Sequence, residues 1–273
     1  MNCKRERDPM QNSVGSSSSN SNSNNKKENV DSLPIVSRET VTRIIRDVKQ
    51  LIKTPLSEHG IYYKHDEENI MKGSAMIVGP EETPYFGGFY FFEFHFPSDY
   101  PHSPPKLNFC TNGDNIRFNP NLYKCGKVCV SLLNTWRGEQ WTSCQTISTV
   151  LLTLCTLLNN KPLLNEPGVS ELHQDFDNYQ RIIEYKNIHL AVLKMIEKRK
   201  DVFPNHFDIF YENMLEHFLK NNDKMLAFLE KNVTNHPTSR RVFTHLYKMD
   251  VEIDYSYLLQ KYKSIYKKVS KKK

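Results

Sequence analysis

Residues Phe89 to Phe96 read Phe-Tyr-Phe-Phe-Glu-Phe-His-Phe, a run that few backbones accept. Aromatic residues favour the pleated strand, in which successive side chains point to opposite faces. Phe89, Phe91, Glu93 and His95 then share one face, and Tyr90, Phe92, Phe94 and Phe96 share the other. The second row is wholly apolar and is the expected core face. Further strand signals stand at Ile61 to Lys64, Ala75 to Val78 and Leu107 to Phe109, separated by Gly and Pro. Their short connections predict a four-stranded antiparallel meander.

Helical periodicity brackets these strands. Ser37 is the expected N-cap of a helix running to about Lys53, where Pro55 stops it. Val41, Ile44, Ile45, Val48, Leu51 and Ile52 form its expected buried stripe, and Arg43, Arg46, Gln50 and Lys53 its polar side. Ile147, Val150, Leu151, Leu154, Leu157 and Leu158 predict a second helix ending near Asn159, with Cys155 among its core residues. Residues 169 to 273 are mostly helical by pattern. Ile182, Ile183, His189, Val192, Leu193 and Ile196 form one set, and Phe207, Phe210, Tyr211, Met214, Leu215 and Phe218 another. Tyr257, Leu258, Tyr262 and Ile265 form the last. The class is α+β.

The chain's 273 residues suffice for one well-buried domain with an extension. Residues 1–34 form an Asn- and Ser-rich leader, read as disordered because it buries too little apolar surface to offset the entropy of ordering it. It lacks the apolar core of a secretion signal. Six cysteines (Cys3, Cys110, Cys125, Cys129, Cys144 and Cys155) without paired spacing point to a reducing, intracellular setting, cytoplasm or nucleus. No apolar run approaches a membrane span. The net charge of +6 falls short of a nucleic-acid-binding signal. The basic stretch from Lys261 to Lys273 reads as a solvated tail.

The chemistry concentrates between Arg117 and Leu133. Asn119-Pro120-Asn121 is a rigid turn, and Gly126-Lys127-Val128-Cys129 places a thiol at a loop edge, eight residues after Asn121. Sulfur is nucleophilic enough for thioester exchange although a free thiol is only a few per cent thiolate at neutral pH. The Asn121 amide is placed either to donate to an oxyanion or to bond the loop backbone, and the two roles are compatible. Cys125 and Cys129 raise two further possibilities, half a metal site and a reversible disulfide. No second ligand pair with suitable spacing accompanies them, so no metal site is assigned.

These motifs resemble the active-site sequence of ubiquitin-conjugating enzymes. Gly79-Pro80, Thr83-Pro84-Tyr85, Gly87-Gly88, Tyr100-Pro101-His102-Ser103-Pro104-Pro105-Lys106, Trp141 and Asn165-Glu166-Pro167 follow in that family's order. The resemblance covers roughly residues 38 to 168. Asn119 replaces the family's usual His, and this, Asn165-Glu166-Pro167-Gly168 and the long extension are most similar to the large Z-type members.

The resemblance implies a catalytic core at residues 35–168, with an N-terminal helix, a four-stranded antiparallel sheet and C-terminal helices, followed by a helical extension at 169–273. It implies Cys129 as thioester carrier, Asn121 as oxyanion donor and Glu166 as the acidic gate for an incoming lysine. Arg43, Arg46 and Gln50 would dock the activating enzyme, and His102, Ser143 and Cys144 stand where the family contacts ligases. There the common members carry an aromatic or apolar residue for His102, and Ser-Pro-Ala where Thr142-Ser143-Cys144 follows Trp141. Expected partners are ubiquitin or a ubiquitin-like modifier, an activating enzyme, protein substrates and, in some reactions, a ubiquitin ligase, with no nucleic acid and no membrane. No cofactor is expected on this chain, since ATP is consumed upstream by the activating enzyme. The alternatives are a carrier of another modifier and a non-catalytic scaffold that binds ubiquitin or a ligase.

Overall fold

The computed structural model describes residues 36–198 and 203–271, so the Asn/Ser leader, Cys3 and the end of the basic tail lie outside the described residues. Helix α1 spans Arg38–Lys53, and the Ser37 hydroxyl accepts from the Thr40 N–H at 3.0 Å to cap it. Strands β1 (Ile61–His65), β2 (Lys72–Val78), β3 (Phe89–His95) and β4 (Lys106–Phe109) follow. They form one antiparallel sheet in sequence order, the expected meander. Its register sets Ala75 opposite Phe92 and Phe92 opposite Phe109, stacking large apolar residues across neighbouring strands. Helix α2 (Ile147–Leu157) packs on α1.

Beyond residue 168 come α3 (Phe176–Lys186), a π-helical continuation (Asn187–Lys194), α4 (Tyr211–Lys220), α5 (Asn222–Asn235) and α6 (Tyr255–Ser270). Between α5 and α6 lies a feature that helical patterning does not anticipate, an antiparallel pair of β5 (Arg240–Phe243) and β6 (Asp250–Ile253). The cause is a short period-two alternation that buries Val242, Val251 and Ile253. The apolar stripe of α6 consists of Tyr255, Leu258, Tyr262 and Ile265, while Tyr257 lies on the exposed side.

Two core assignments change. Phe89 and Phe91, expected opposite the core, are as buried as Tyr90 and Phe92. The extension supplies the second cover: the Phe91 ring stacks on Phe207 at 4.6 Å and meets Phe203 edge-on at 5.7 Å. Aromatic pairs of this kind add to plain area burial. On α1 the buried positions are Thr40, Arg43, Ile44, Asp47 and Leu51, whereas Ile45 and Ile52 reach solvent, Ile52 at 75%. Arg43 and Asp47 take the inward face because each satisfies the other's charge. Cys155 is half-buried against the core.

An acidic loop residue ties the region after the sheet to the extension. Asp114 accepts from Lys186 Nζ at 2.9 Å and Lys194 Nζ at 3.0 Å. Partial burial alone would push its carboxyl up, but the two lysines outweigh burial and hold it at about 2. A carboxylate depressed in the folded state stabilises the protein above its unfolded value near 3.8 and loses that contribution as pH falls through about 2. The stabilisation is about 2 kcal/mol. His189, whose imidazole is held down to about 4 by burial and by Lys186, Lys261 and Lys194, titrates in the same window. His189 Nδ1 also lies 3.7 Å from Asp114, whose charge favours the imidazolium, so the advantage of wild type over Asp114→Asn in urea stability should hold down to about pH 5 and shrink as pH falls from there towards 2. A difference that does not change with pH would place the effect elsewhere.

Candidate active site

The loop that carries Cys129 is built from local backbone pairing. Leu122 bridges Asn119 on one side and Val128 on the other, and the Tyr123 N–H donates to the Lys127 carbonyl at 2.9 Å. Gly126 adopts φ 91° at the turn, and a Cβ there would lie 2.0 Å from Asn108 Oδ1, so the position demands glycine twice over. After the turn Cys129 is fixed from both sides of its peptide unit. Its N–H donates to the Asn121 carbonyl at 2.8 Å, and its carbonyl accepts from Asn121 Nδ2 at 2.6 Å. The second N–H of that amide stays uncommitted to this bond. Thr135 clasps the next segment, accepting from the Val130 N–H and donating to the Val128 carbonyl.

Asn119, which stands where the resembling family usually has His, organises the loop. The fully buried side chain donates through Nδ2 to the Leu157 carbonyl at 2.7 Å and to the Tyr85 hydroxyl at 3.1 Å. Its Oδ1 accepts from the Asn121 N–H at 2.9 Å and from Asn165 Nδ2 at 3.3 Å. One amide thus joins the Cys129 loop, α2 and the turn Pro162–Asn165 that precedes Glu166. Such a fully satisfied buried network specifies one geometry.

Glu166 is half-buried, and its Oε2 accepts a short hydrogen bond from the Tyr247 hydroxyl in the β5–β6 connection. Arg117 lies beneath the same region. Its guanidinium sits 3.4 Å from the Tyr123 ring centroid and 5.0 Å from that of Tyr247, and donates to the Asn119 and Pro120 carbonyls. Neither Tyr247 nor Arg117 figures among the sequence candidates. Tyr247 is 81 residues from Glu166, and no local pattern links them.

The thiols differ in exposure. Cys129 is 2% exposed, whereas Cys125, at the tip of the turn, and Cys144 are exposed; all are free. Among the described residues, no group of three or more His, Cys, Asp or Glu is placed to hold a metal ion. No helix among them is long and apolar enough to cross a membrane.

The remaining candidates lie on α1 and on the two loops beside it. Arg46 and Gln50 are exposed on the solvent face of α1, with Lys49 and Lys53. Arg43 is not on that face: it is 8% exposed, pairs with Asp47 at 2.9 Å, and donates to the Ser143 and Gln145 carbonyls. Its role in docking is replaced by one in holding α1 to the loop that precedes α2. Ser143 and Cys144 are exposed on this loop, and His102 is exposed on the Pro-rich loop, 3.5 Å from Glu39 of α1. Trp141 joins the two loops through its indole N–H to the Pro101 carbonyl at 2.7 Å.

Comparison with known proteins matches this arrangement. Residues 43–191 match the sequence model of the ubiquitin-conjugating enzyme family, so the match includes α3 and most of its π-helical continuation. The chain is 42% identical over 164 residues to ubiquitin-conjugating enzyme E2 Z of Xenopus tropicalis, covering 59% of this chain and 52% of that protein. It is likewise 42% identical over 162 residues to ubiquitin-conjugating enzyme E2 Z of Homo sapiens, 58% of this chain and 45% of that one. The dual E2 ubiquitin-conjugating enzyme/E3 ubiquitin-protein ligase BIRC6 of Homo sapiens is 38% identical over 185 residues, 64% of this chain and 4% of that protein. The aligned region spans about half the length of the E2 Z proteins. With more than half its residues matched and its thiol loop built on the Asn119-Pro120-Asn121 turn, the chain belongs to the ubiquitin-conjugating enzyme family.

Proposed function

We propose that the protein accepts ubiquitin from an activating enzyme as a thioester on Cys129 and transfers it to a lysine amine of a target protein, with or without a ubiquitin ligase. The observation that carries this reading is the two-way bonding of Asn121 to the Cys129 peptide unit, which holds an amide donor against the backbone of the residue that bears the thiol. In the first step the Cys129 sulfur attacks the incoming thioester carbonyl. A new C–S bond forms, the old one breaks, and the departing thiol carries away the proton that Cys129 gives up. In the second step a neutral lysine nitrogen attacks the same carbonyl. The C–N bond forms, the C–S bond to Cys129 breaks, and the proton lost by the amine balances the thiolate released. The remaining Asn121 N–H serves the oxyanion between these events, and Glu166 orients the amine at the rim of the site. No cofactor takes part on this chain, since ATP is spent by the activating enzyme. Arg46 and Gln50 on the exposed face of α1 are the docking residues for that enzyme, and His102, Ser143 and Cys144 lie on the loops that meet a ligase.

The test is a charging assay with ubiquitin, ATP and a panel of activating enzymes, run on reducing and non-reducing gels. A reductant-sensitive adduct supports the reading, and its absence with every activating enzyme overturns it. Asn121→Ala should charge normally and discharge to lysine about 10²-fold more slowly, the cost of losing one oxyanion donor. Unchanged single-turnover discharge would confine Asn121 to holding the loop.

A further inference from the structure

The six residues Thr244 to Met249, which connect β5 to β6, are built into the catalytic loop. Tyr247 and Lys248 adopt φ 61° and 46°, a left-handed conformation that residues with a Cβ adopt only when their surroundings impose it. Those surroundings are well defined. The buried Asp175 carboxylate accepts from the His245 N–H at 3.0 Å and the Leu246 N–H at 2.7 Å. Lys124 Nζ, from the turn that leads to Cys129, donates to the Tyr247 carbonyl at 2.8 Å. The Arg117 N–H meets Met249 Sδ at 3.3 Å, and the Tyr179 ring packs edge-to-face on Tyr247 at 5.9 Å. What all this fixes is the phenol that donates to Glu166 Oε2.

From this geometry we infer that Tyr247 is a positioning residue for the transfer step, holding the Glu166 carboxylate through Oε2 and leaving Oε1 to accept from the incoming lysine amine. The inference rests on the reading of Glu166 given above and extends it to a residue in the extension. A half-buried glutamate with no second partner would sample several rotamers, and the incoming amine would have to order it. A carboxylate already held by one charge-assisted hydrogen bond has lost that freedom before the amine arrives. Burial, reinforced by Glu166 itself, pushes the Tyr247 phenol up, so it remains a donor throughout the pH range in which lysine reacts. The extension thereby contributes a residue to the arrangement of the site.

Four full-length proteins test this: wild type, Tyr247→Phe, Glu166→Gln and the double variant. Each is charged with ubiquitin, the activating enzyme is quenched, and the thioester is chased with free lysine or with hydroxylamine. Hydroxylamine is already neutral at neutral pH, so its reaction reports an intact thioester pocket without calling on an orienting carboxylate. Tyr247→Phe keeps the ring packing. It should lower the second-order rate for lysine about tenfold while charging and hydroxylamine discharge stay at wild-type rates. Glu166→Gln should lose at least as much, and the double variant should be no slower than Glu166→Gln alone. If Glu166→Gln discharges to lysine like wild type, the reading of Glu166 fails and the inference goes with it. If Glu166→Gln is slow and Tyr247→Phe is not, the inference alone fails. Equal slowing of lysine and hydroxylamine by Tyr247→Phe, or an additive double variant, would reduce Tyr247 to a structural contact and overturn the inference.

Discussion

Cys129→Ser should lose the reductant-sensitive ubiquitin adduct entirely, leaving a reductant-resistant ester or nothing, while Cys125→Ser and Cys144→Ser retain it. The expectation is not obvious from exposure, since Cys125 and Cys144 are on the surface and Cys129 is nearly covered. Geometry decides between them. Cys129 has both its N–H and its carbonyl bonded to Asn121, and Thr135 restrains the segment that follows. A backbone held this way carries its thiol at a constant place relative to the Asn121 amide, as repeated attack on a carbonyl beside an oxyanion donor requires. Cys125 sits at the tip of a turn with no such frame. Cys110 and Cys155 are poor alternatives, because burial pushes both thiols up, aided at Cys110 by Glu93, and it is the thiolate that attacks. Limited labelling with a thiol reagent should modify Cys125 and Cys144 before Cys129 in the uncharged protein. An adduct that survives Cys129→Ser and disappears in Cys125→Ser would move the nucleophile to the turn.

The same contrast between local and distant structure separates what the sequence discloses from what it conceals. Asn121 and Cys129 are eight residues apart on one turn, and the proline and glycine that shape it stand between or beside them, so their proximity is written locally. The meander is legible for the same reason: a period of two, interrupted by glycine and proline, needs no knowledge of the rest of the chain. The second cover of β3 is not local. Phe91 is buried by Phe203 and Phe207, more than a hundred positions later, and alternation along the strand cannot distinguish one covered face from two. Tyr247 is hidden for the further reason that it stands in a short connection with no periodicity, held in place by Asp175 and Lys124 from other parts of the chain. Asn119 shows a third case. Its departure from histidine is visible in sequence, but only its four partners show that the amide organises the loop.

Arg43→Ala should destabilise the protein by about 3–5 kcal/mol, the usual cost of removing one partner from a buried ion pair. On a helical wheel Arg43 falls with Arg46 and Gln50, and charge alone assigns it to the solvent face. Asp47, one turn later, reverses that assignment. The guanidinium donates to Asp47 Oδ1 at 2.9 Å, and Asp47 Oδ2 accepts from the Tyr100 hydroxyl at 2.5 Å. Arg43 also satisfies the Ser143 and Gln145 carbonyls, about a hundred residues away, so its loss leaves a buried carboxylate and two part-buried carbonyls short of a donor. Asp47→Ala should cost a similar amount, and the double variant clearly less than the sum, because neither charge is then left alone. Arg46→Ala and Gln50→Ala should change stability by less than about 0.5 kcal/mol, as exposed substitutions do. Their effect should fall instead on the rate of charging by the activating enzyme, and that of Arg46→Ala should weaken with added salt. Urea titration of the five variants beside wild type separates the two classes. A cost below about 1 kcal/mol for Arg43→Ala would mean that water replaces the guanidinium, and α1 would then be held by its apolar contacts alone.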